Sequence, residues 1–344
     1  MNSTQNKSKR SQPYRFIDVH NHMFPPDYVS ALARIGITGA RVLDFPKWTP
    51  QKSLSIMDRN GISRAIMSIS TPGVYFGDKS FSRDLARRCN EYAAQLISDY
   101  PDRVGAFATL PLPDVEGALT ELEYALDTLK LDGVVLLSNV EGHYLGDPTY
   151  GELFAELNRR KTVVFIHPHD LPYREGEPVI LAPLFERMVD TTRTVTDLLY
   201  EGTLKRYPNI RYILAHGGGS VPFLAWRIAL GQSAEAKGTS YDQGLCDYTA
   251  SQSTVNEGIE VLKRLYYDTA QPGPSLMRAV QELAGPSHIL CGTDCGPATA
   301  TQVALSIDGL KEYDGFNEQD FAEVERNNAL ELFPRFKNNG GFEK

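Results

Sequence analysis

The chain lacks the features that define membrane, secreted and nucleic-acid-binding proteins. No apolar run approaches the roughly 20 residues that a membrane-spanning helix needs, and the N-terminus has no apolar signal segment. The formal net charge of −8 argues against the clustered basic residues of a nucleic-acid-binding surface. The four cysteines form no CxxC pair, which is typical of reduced thiols rather than a cysteine zinc site. We therefore expect a cytoplasmic protein with neither nucleic acid nor membrane as a partner.

Short apolar runs alternate with longer amphipathic segments along the chain. The runs, rich in β-branched residues, lie near 15–20, 63–70, 103–109, 133–137, 162–167, 210–216, 265–268 and 287–292. The amphipathic segments lie near 50–60, 81–100, 116–130, 148–160, 181–207, 275–284 and 299–312. This alternation favours parallel strands, connected by helices, in a sheet that is buried on both faces. Eight such units predict a single α/β domain with the (β/α)₈ TIM barrel fold.

The composition along the chain sets the expected domain boundaries. It divides into a disordered N-terminal tail (1–14), the barrel domain (15–336) and a C-terminal tail (337–344). A Glu-rich helix over 318–333 is predicted to cap the barrel as a C-terminal helical extension. Residues 170–180 and 231–256 are predicted to be long loops over the face where barrel enzymes bind substrate.

Potential metal ligands stand at the ends of the apolar runs. His20 and His22 are two residues apart on the first strand, so both side chains point to the same face. His167 and His216 end the fifth and sixth runs, and Asp294 follows the eighth. These positions meet at the active face of a barrel, and imidazole with carboxylate suits Zn²⁺, Mn²⁺ or Fe²⁺. The pattern predicts a catalytic metal ion with a position open to water or substrate.

Several motifs resemble those of the amidohydrolase superfamily. They are His20-Asn21-His22, Val164-Phe165-Ile166-His167-Pro168, the segment 215–223 with Arg227, and Gly292-Thr293-Asp294. Within the superfamily they are similar to the branch containing aminocarboxymuconate-semialdehyde decarboxylase and the non-oxidative hydroxybenzoate decarboxylases. The segments 47–50, 133–139 and 144–148 look most like 6-methylsalicylate decarboxylases.

The resemblance implies a role for each candidate ligand. His20, His22, His167 and Asp294 are implied to hold a divalent metal ion, with Zn²⁺ the leading choice and Mn²⁺ the alternative. Asp294 is also implied to be a candidate proton donor to the substrate ring. His216 is implied to be an acid/base that hydrogen-bonds metal-bound water or substrate, with direct metal ligation as the alternative.

The number of metal ions follows from a residue that is missing. Many hydrolases of the superfamily bridge two metal ions with a carboxylated lysine at the end of the fourth strand. This chain has Leu137-Ser138-Asn139 there. We therefore expect one metal ion per subunit.

Arg227 is the candidate for binding the substrate carboxylate. It lies eleven residues after His216, where muconate-type relatives place an arginine that crosses a dimer interface. The alternative for Arg227 is a salt bridge at a subunit contact. The second arginine of those relatives is absent before Met57-Asp58, which favours a substrate with one carboxylate. The apolar helix 221–226 beside Arg227 predicts a homodimer.

Aromatic residues are candidates for the wall of a pocket that holds a planar ring. Trp48, Phe76 and Tyr144 are the predicted substrate contacts, each with packing in the core as its alternative. His143 is a further candidate to line the pocket, and His169 is expected on a loop near its mouth.

The leading function is the decarboxylation of a small aromatic carboxylic acid of the 2-hydroxybenzoate type, specifically 6-methylsalicylate to 3-methylphenol and CO₂. The alternative is a metal-dependent hydrolase or hydratase acting on a lactone or an unsaturated carboxylic acid. A third class, a non-catalytic metal-binding protein, would require a vestigial ligand set. Release of CO₂ without uptake of water separates the first two.

Overall fold

Eight parallel strands form a nearly closed barrel in a computed structural model that describes residues 15–40, 43–170, 182–232, 252–271 and 273–337. The strands are β1 (Phe16–His22), β2 (Ile62–Ser68), β3 (Val104–Thr109), β4 (Gly133–Leu137), β5 (Val163–His167), β6 (Arg211–Leu214), β7 (Tyr266–Asp268) and β8 (Ile289–Leu290). Each strand pairs with the next in chain order, from β1 to β8. The predicted (β/α)₈ fold is confirmed.

Backbone hydrogen bonds join the two edges of this sheet. The N–H of Val19 in β1 donates to the carbonyl of Cys291 just after β8, over 2.9 Å. The N–H of His22 donates to the carbonyl of Cys295 over 2.7 Å. The end of β1 is thereby held against the segment that follows β8.

Helices surround the barrel. They are α1 (Pro26–Arg34), α2 (Pro50–Asn60), α3 (Lys79–Asp99), α4 (Val115–Glu123), α5 (Gly151–Arg160), α6 (Arg187–Tyr200), α7 (Thr203–Arg206), α8 (Val221–Gln232), α9 (Gln252–Lys263), α10 (Pro274–Ala284), α11 (Ala300–Glu312), α12 (Glu318–Ala322) and α13 (Asn328–Leu332). Local sequence sets many of their ends, as α2 shows. Thr49 accepts a hydrogen bond from the N–H of Lys52 at its start, and Gly61 ends it with φ +70°. No helix within the described residues is both long and apolar enough to cross a membrane.

The hydrophobic core has two layers. The outer layer lies between strands and helices, and the inner layer fills the barrel with side chains such as Ile17, Phe107 and Phe165. Phe333 and Phe336, from the C-terminal segment, belong to the inner layer. This end of the chain therefore packs at the opening opposite the ligand-bearing strand ends.

The predicted elements differ from the structure mainly after β6. The predicted loop 231–256 is wrong at its two ends, because α8 continues to Gln232 and α9 begins at Gln252. The residues of this segment are mostly polar, which predicts a loop, although Val255 of α9 is buried. The rest of that loop, residues 171–180 of the other predicted loop, the tail 1–14 and residues 338–344 lie outside the described residues.

Candidate metal centre and acid–base site

Four side chains at the C-terminal end of the barrel converge on one point. His20 and His22 end β1, His167 ends β5 and Asp294 follows β8. One ligand atom from each lies within 4.8 Å of the others, and the three histidines are buried. The Nε2 atoms of His20 and His22 are 3.1 Å apart.

Hydrogen bonds to the outer ring nitrogens fix the orientation of the three histidines. The Nδ1 of His20 lies 2.7 Å from Asp268 Oδ2, and that of His22 lies 3.1 Å from Ser68 Oγ. The Nδ1 of His167 lies 2.8 Å from the carbonyl oxygen of Pro168. Such outer partners hold the tautomer that turns Nε2 inward, an arrangement typical of metal-ligating histidines.

Asp294 is held by its backbone as well as by its side chain. Its φ of +62° is in the left-handed region, and its N–H donates to the carbonyl of His20 over 2.8 Å. Its Oδ1 lies 3.4 Å from Nε2 of His20 and 3.2 Å from Nε2 of His22. The carboxylate therefore faces the same point as the imidazoles.

Asp18 connects the segment that carries His20 with the segment that carries Asp294. Its Oδ2 accepts a hydrogen bond from the hydroxyl of Thr293 over 2.6 Å, and its Oδ1 accepts from the N–H groups of His20 and Thr293. Burial raises the pKa of Asp18 to about 6, against the effect of these donors. Sequence reasoning missed this residue, although a carboxylate inside an apolar strand was a visible signal.

Burial and neighbouring charges set the protonation of the cluster. Burial lowers the pKa of His22 and holds that of His167 well below its usual value. Burial also lowers the pKa of His20, but the charges of Asp268 and Asp294 outweigh it and raise this pKa to about 10. Burial raises the pKa of Asp294, but hydrogen bonds from His20 and His22 outweigh it and hold this pKa well below its usual range.

These features fit a divalent metal ion. Two neutral imidazoles and an ionised carboxylate are in the protonation states that metal ligands require, and His20 would release a proton on metal binding. Ligation of one ion by both residues would explain why the Nε2 atoms of His20 and His22 lie so close together. The four residues therefore form a metal-binding site.

His216 lies beside the ligands, in a tight turn after β6. It has a φ of +54°, and its Nδ1 lies 3.0 Å from the carbonyl oxygen of Ala270. Its ring centroid is 4.8 Å from that of His20 and 6.1 Å from that of His167. Burial lowers the pKa of His216, so the ring is neutral and Nε2 is a proton acceptor. Its role as an acid/base rather than a ligand stays a prediction.

The glycines after His216 serve close packing. A Cβ on Gly219 would lie 2.3 Å from the carbonyl oxygen of Met188, and its φ is +64°. The turn therefore needs glycine for backbone approach to α6.

Neutral side chains, rather than a lysine, stand just after β4. Ser138 and Asn139, just after β4, donate side-chain hydrogen bonds to the buried carboxylate of Asp190 in α6. The hydroxyl of Tyr144 donates to the same carboxylate over 2.7 Å, and Arg193 lies over its ring. Tyr144 is thus held by α6, and Asp190 is a supporting residue that sequence reasoning missed.

The other predicted substrate contacts are not brought into the ligand cluster. Trp48 and Phe76 are half-buried and pack against the outer core, with Trp48 against Tyr92 and Phe76 against Phe81. Arg227 lies on the exposed side of α8. These substrate roles stay predictions.

Comparison with known proteins gives matches along nearly the whole described chain. A family model described as amidohydrolase matches residues 17–335. The decarboxylase macB of Penicillium terrestre is 36% identical, over 93% of this chain and 95% of that protein. The 6-methylsalicylic acid decarboxylase of Penicillium expansum is 34% identical, over 93% of this chain and 97% of that protein.

A solved structure shares the fold. The dihydroxybenzoic acid decarboxylase of Polaromonas sp. JS666, with bound manganese and the inhibitor 2-nitroresorcinol, superposes with a TM-score of 0.75. The match covers 93% of this chain and 97% of that chain at 21% identity.

Proposed function

Because the chain belongs to the amidohydrolase family and is a carboxy-lyase, we propose that it catalyses metal-dependent, non-oxidative decarboxylation of a 2-hydroxybenzoate. The proposed substrate is 6-methylsalicylate, which would yield 3-methylphenol and CO₂. The full-length similarity to the 6-methylsalicylic acid decarboxylase supports this substrate. The absence of a second arginine before Met57 agrees with a substrate that has one carboxylate.

The observation that carries the proposal is the metal site with His216 beside it. His20, His22, His167 and Asp294 would hold one Zn²⁺, and Mn²⁺ is the alternative that the manganese-bound relative favours. A bound ion would supply Lewis-acid chemistry to a substrate that carries a carboxylate and a neighbouring phenolic oxygen. Ser138 and Asn139 are engaged by Asp190, which supports a site without a bridging lysine.

His216 and Asp294 would move the proton. The neutral His216 has Nε2 available to accept the phenolic proton, since its Nδ1 faces the carbonyl of Ala270. Asp294 directs Oδ1 toward His20 and His22, which leaves Oδ2 as the oxygen of the ionised carboxylate that would first take up a solvent proton and then deliver it to the ring. The ring carbon that bears the carboxylate takes up this proton. The bond to the carboxylate then breaks, its electron pair restores the aromatic ring, and CO₂ leaves.

A homodimer is part of the proposal. Phe223 and Trp226 on α8 are each 59% exposed, which is unusual for side chains of this size on adjacent turns. Phe185, 62% exposed, precedes the neighbouring α6. A second copy that covers this face would bring Arg227 to the interface, where it could reach the partner's substrate.

The test is the reaction in heavy water. Metal-loaded enzyme and 6-methylsalicylate should give CO₂ and 3-methylphenol, with one deuterium on the carbon that carried the carboxylate. The uncatalysed control is the same mixture with enzyme stripped of metal by a chelator. If all 2-hydroxybenzoates are inert while a lactone is hydrolysed or an unsaturated acid is hydrated, the decarboxylase proposal is wrong.

A further inference from the structure

A small cavity lies at the ends of β2, β3 and β4. Its volume is about 60 Å³. Most of its lining is aliphatic, with Ile69 after β2, Leu110 after β3, and Leu137 and Val140 at and after the end of β4. His169 forms part of its polar edge.

Residues that neighbour the ligands in the sequence or in the sheet line this cavity or contact its lining. Leu137 is the register partner of His167 across the β4–β5 pair. His169 lies two residues beyond His167. The hydroxyl oxygen of Thr71, three residues after β2, lies 3.3 Å from Nδ1 of His169. The cavity therefore occupies the sector between the strands that carry His22 and His167.

The groups that move protons lie on the other side of the site. His216 follows β6 and Asp294 follows β8, whereas the cavity lies at the ends of β2, β3 and β4. In a 2-hydroxybenzoate held through its carboxylate and phenolic oxygen, the ring carbon ortho to the reacting carbon, on the side away from the phenol, would lie on the edge that faces the cavity. The aliphatic lining favours an apolar group on that edge.

We infer that this cavity binds a small alkyl substituent of the substrate ring and that Leu137 limits the size of that substituent. The inference rests on the proposed function and adds to it the feature that selects among 2-hydroxybenzoates. The volume supports the size limit, because an apolar cavity that holds benzene is roughly 150 Å³. A cavity of about 60 Å³ is too small for the aromatic ring itself and has room for a methyl group.

The test measures binding rather than turnover, with nitrophenols as probes. A nitro group has the planar shape of a carboxylate but cannot leave as CO₂. The three ligands are 2-nitrophenol, 3-methyl-2-nitrophenol and 3-propyl-2-nitrophenol, titrated calorimetrically into metal-loaded enzyme. The native protein should prefer the methyl compound to 2-nitrophenol by about fourfold, the value expected for one buried methyl group. The propyl compound should bind at least roughly tenfold more weakly than the methyl compound.

Two substitutions at Leu137 change the cavity in opposite directions. Leu137→Ala enlarges it and should tighten propyl binding by roughly tenfold. Leu137→Phe fills it and should abolish the preference for methyl while 2-nitrophenol still binds. Leu157→Ala is the matched control, since Leu157 is fully buried on α5 and does not line the cavity. It should leave all three affinities unchanged.

The outcomes separate this inference from the proposed function. If both Leu137 variants keep the native order of affinities, or if Leu157→Ala changes it equally, the assignment of the cavity is wrong. If the order changes as expected but no 2-hydroxybenzoate is decarboxylated, the cavity assignment stands and the proposed function fails. Turnover of 6-methylsalicylate with unchanged binding preferences would overturn only the cavity assignment.

Discussion

Asp268 accepts a hydrogen bond from the ligand His20 and another from the backbone of the acid/base candidate His216. Its Oδ2 lies 2.7 Å from Nδ1 of His20, and its Oδ1 accepts from the N–H of His216 over 2.8 Å. The same Oδ1 also accepts from the N–H of Ala270, whose carbonyl lies 3.0 Å from Nδ1 of His216. One carboxylate thus orients a metal ligand and the side chain beside it.

Asp268→Asn should weaken metal binding. All three partners of the carboxylate are N–H donors, so an amide must turn its own NH₂ toward at least one of them and leave that donor unsatisfied. We expect metal affinity to fall by about 10- to 100-fold, as for other outer partners of ligating histidines. Competition with a chromophoric chelator measures this loss.

Asp197→Asn is the matched control for this prediction. Asp197 also accepts a backbone hydrogen bond, from Gly146 over 2.8 Å, but it is not a partner of the ligands. Its substitution should leave metal affinity unchanged. Equal metal affinity in Asp268→Asn and the native protein would show that Asp268 does not support the site.

The local pattern of the sequence was sufficient for the barrel and for the positions of the candidate ligands, and the resemblance to the amidohydrolase superfamily separated His216 from the four implied ligands. Each strand is a short apolar run, and each ligand stands where such a run ends, so fold and site are read from neighbouring residues. The pairing of His20 with Asp268 and that of Ser138 with Asp190 could not be assigned in the same way. The bond from His20 to Asp268 spans 248 residues and the bond from Ser138 to Asp190 spans 52, and no local pattern specifies either pair.

The backbone conformation of two site residues could not be predicted from the sequence either. His216 and Asp294 have φ values of +54° and +62°, in a region where glycine or asparagine would be the usual signal. His216 was expected on a strand over 210–216, but β6 ends at Leu214 and the turn begins there. These two left-handed residues direct the side chains toward the site, and only the closed barrel determines that they do so.

His216→Asn should separate metal binding from turnover. Asparagine tolerates the left-handed backbone at this position, so the turn should be kept. We expect the variant to retain the metal and to lose activity by about 10²- to 10⁴-fold, the contribution of a positioned acid/base. Elemental analysis and steady-state kinetics with 6-methylsalicylate measure the two effects.

His22→Ala is the control for this prediction, because it removes a metal ligand. It removes an inward Nε2 from the cluster and should lose both metal and activity. The native protein should contain about one metal equivalent per chain. If His216→Asn loses as much metal as His22→Ala, His216 is a ligand, and two tightly bound ions in the native chain would contradict a single-metal site.

Gly133→Ala should destabilise the barrel without involving the metal ligands directly. A Cβ at this position would lie 2.4 Å from the carbonyl oxygen of Val163, which belongs to the adjacent strand β5. Backbone atoms cannot move aside as a flexible side chain can, so we expect a loss of about 1–3 kcal/mol in the free energy of unfolding. Urea denaturation of the metal-loaded proteins measures it.

The control is Gly309→Ala in α11, where an added Cβ would meet nothing within 4 Å. Alanine in a helix interior is favoured over glycine, so this variant should gain up to about 1 kcal/mol. A Gly133→Ala protein as stable as the native protein would show that β4 and β5 can separate at this point without cost.

Trp226→Asp should dissociate the proposed homodimer. A carboxylate at the centre of an apolar contact would lose its hydration without a partner, so the associated state becomes less favourable. Sedimentation velocity should show a dimer for the native protein and a monomer for the variant. Leu305→Asp is the matched control, because Leu305 is 66% exposed on α11, and it should remain dimeric.

Mixing two inactive chains tests whether Arg227 acts on the partner's substrate. An Arg227→Ala chain keeps its metal ligands, and a His20→Ala chain keeps its arginine, so a mixed dimer with shared sites contains one complete site. Random exchange of equal amounts should restore roughly a quarter of native activity, because half of the dimers are mixed and each has one working site of two. If the native protein is a fully active monomer, or if mixing restores no activity, Arg227 does not act across an interface.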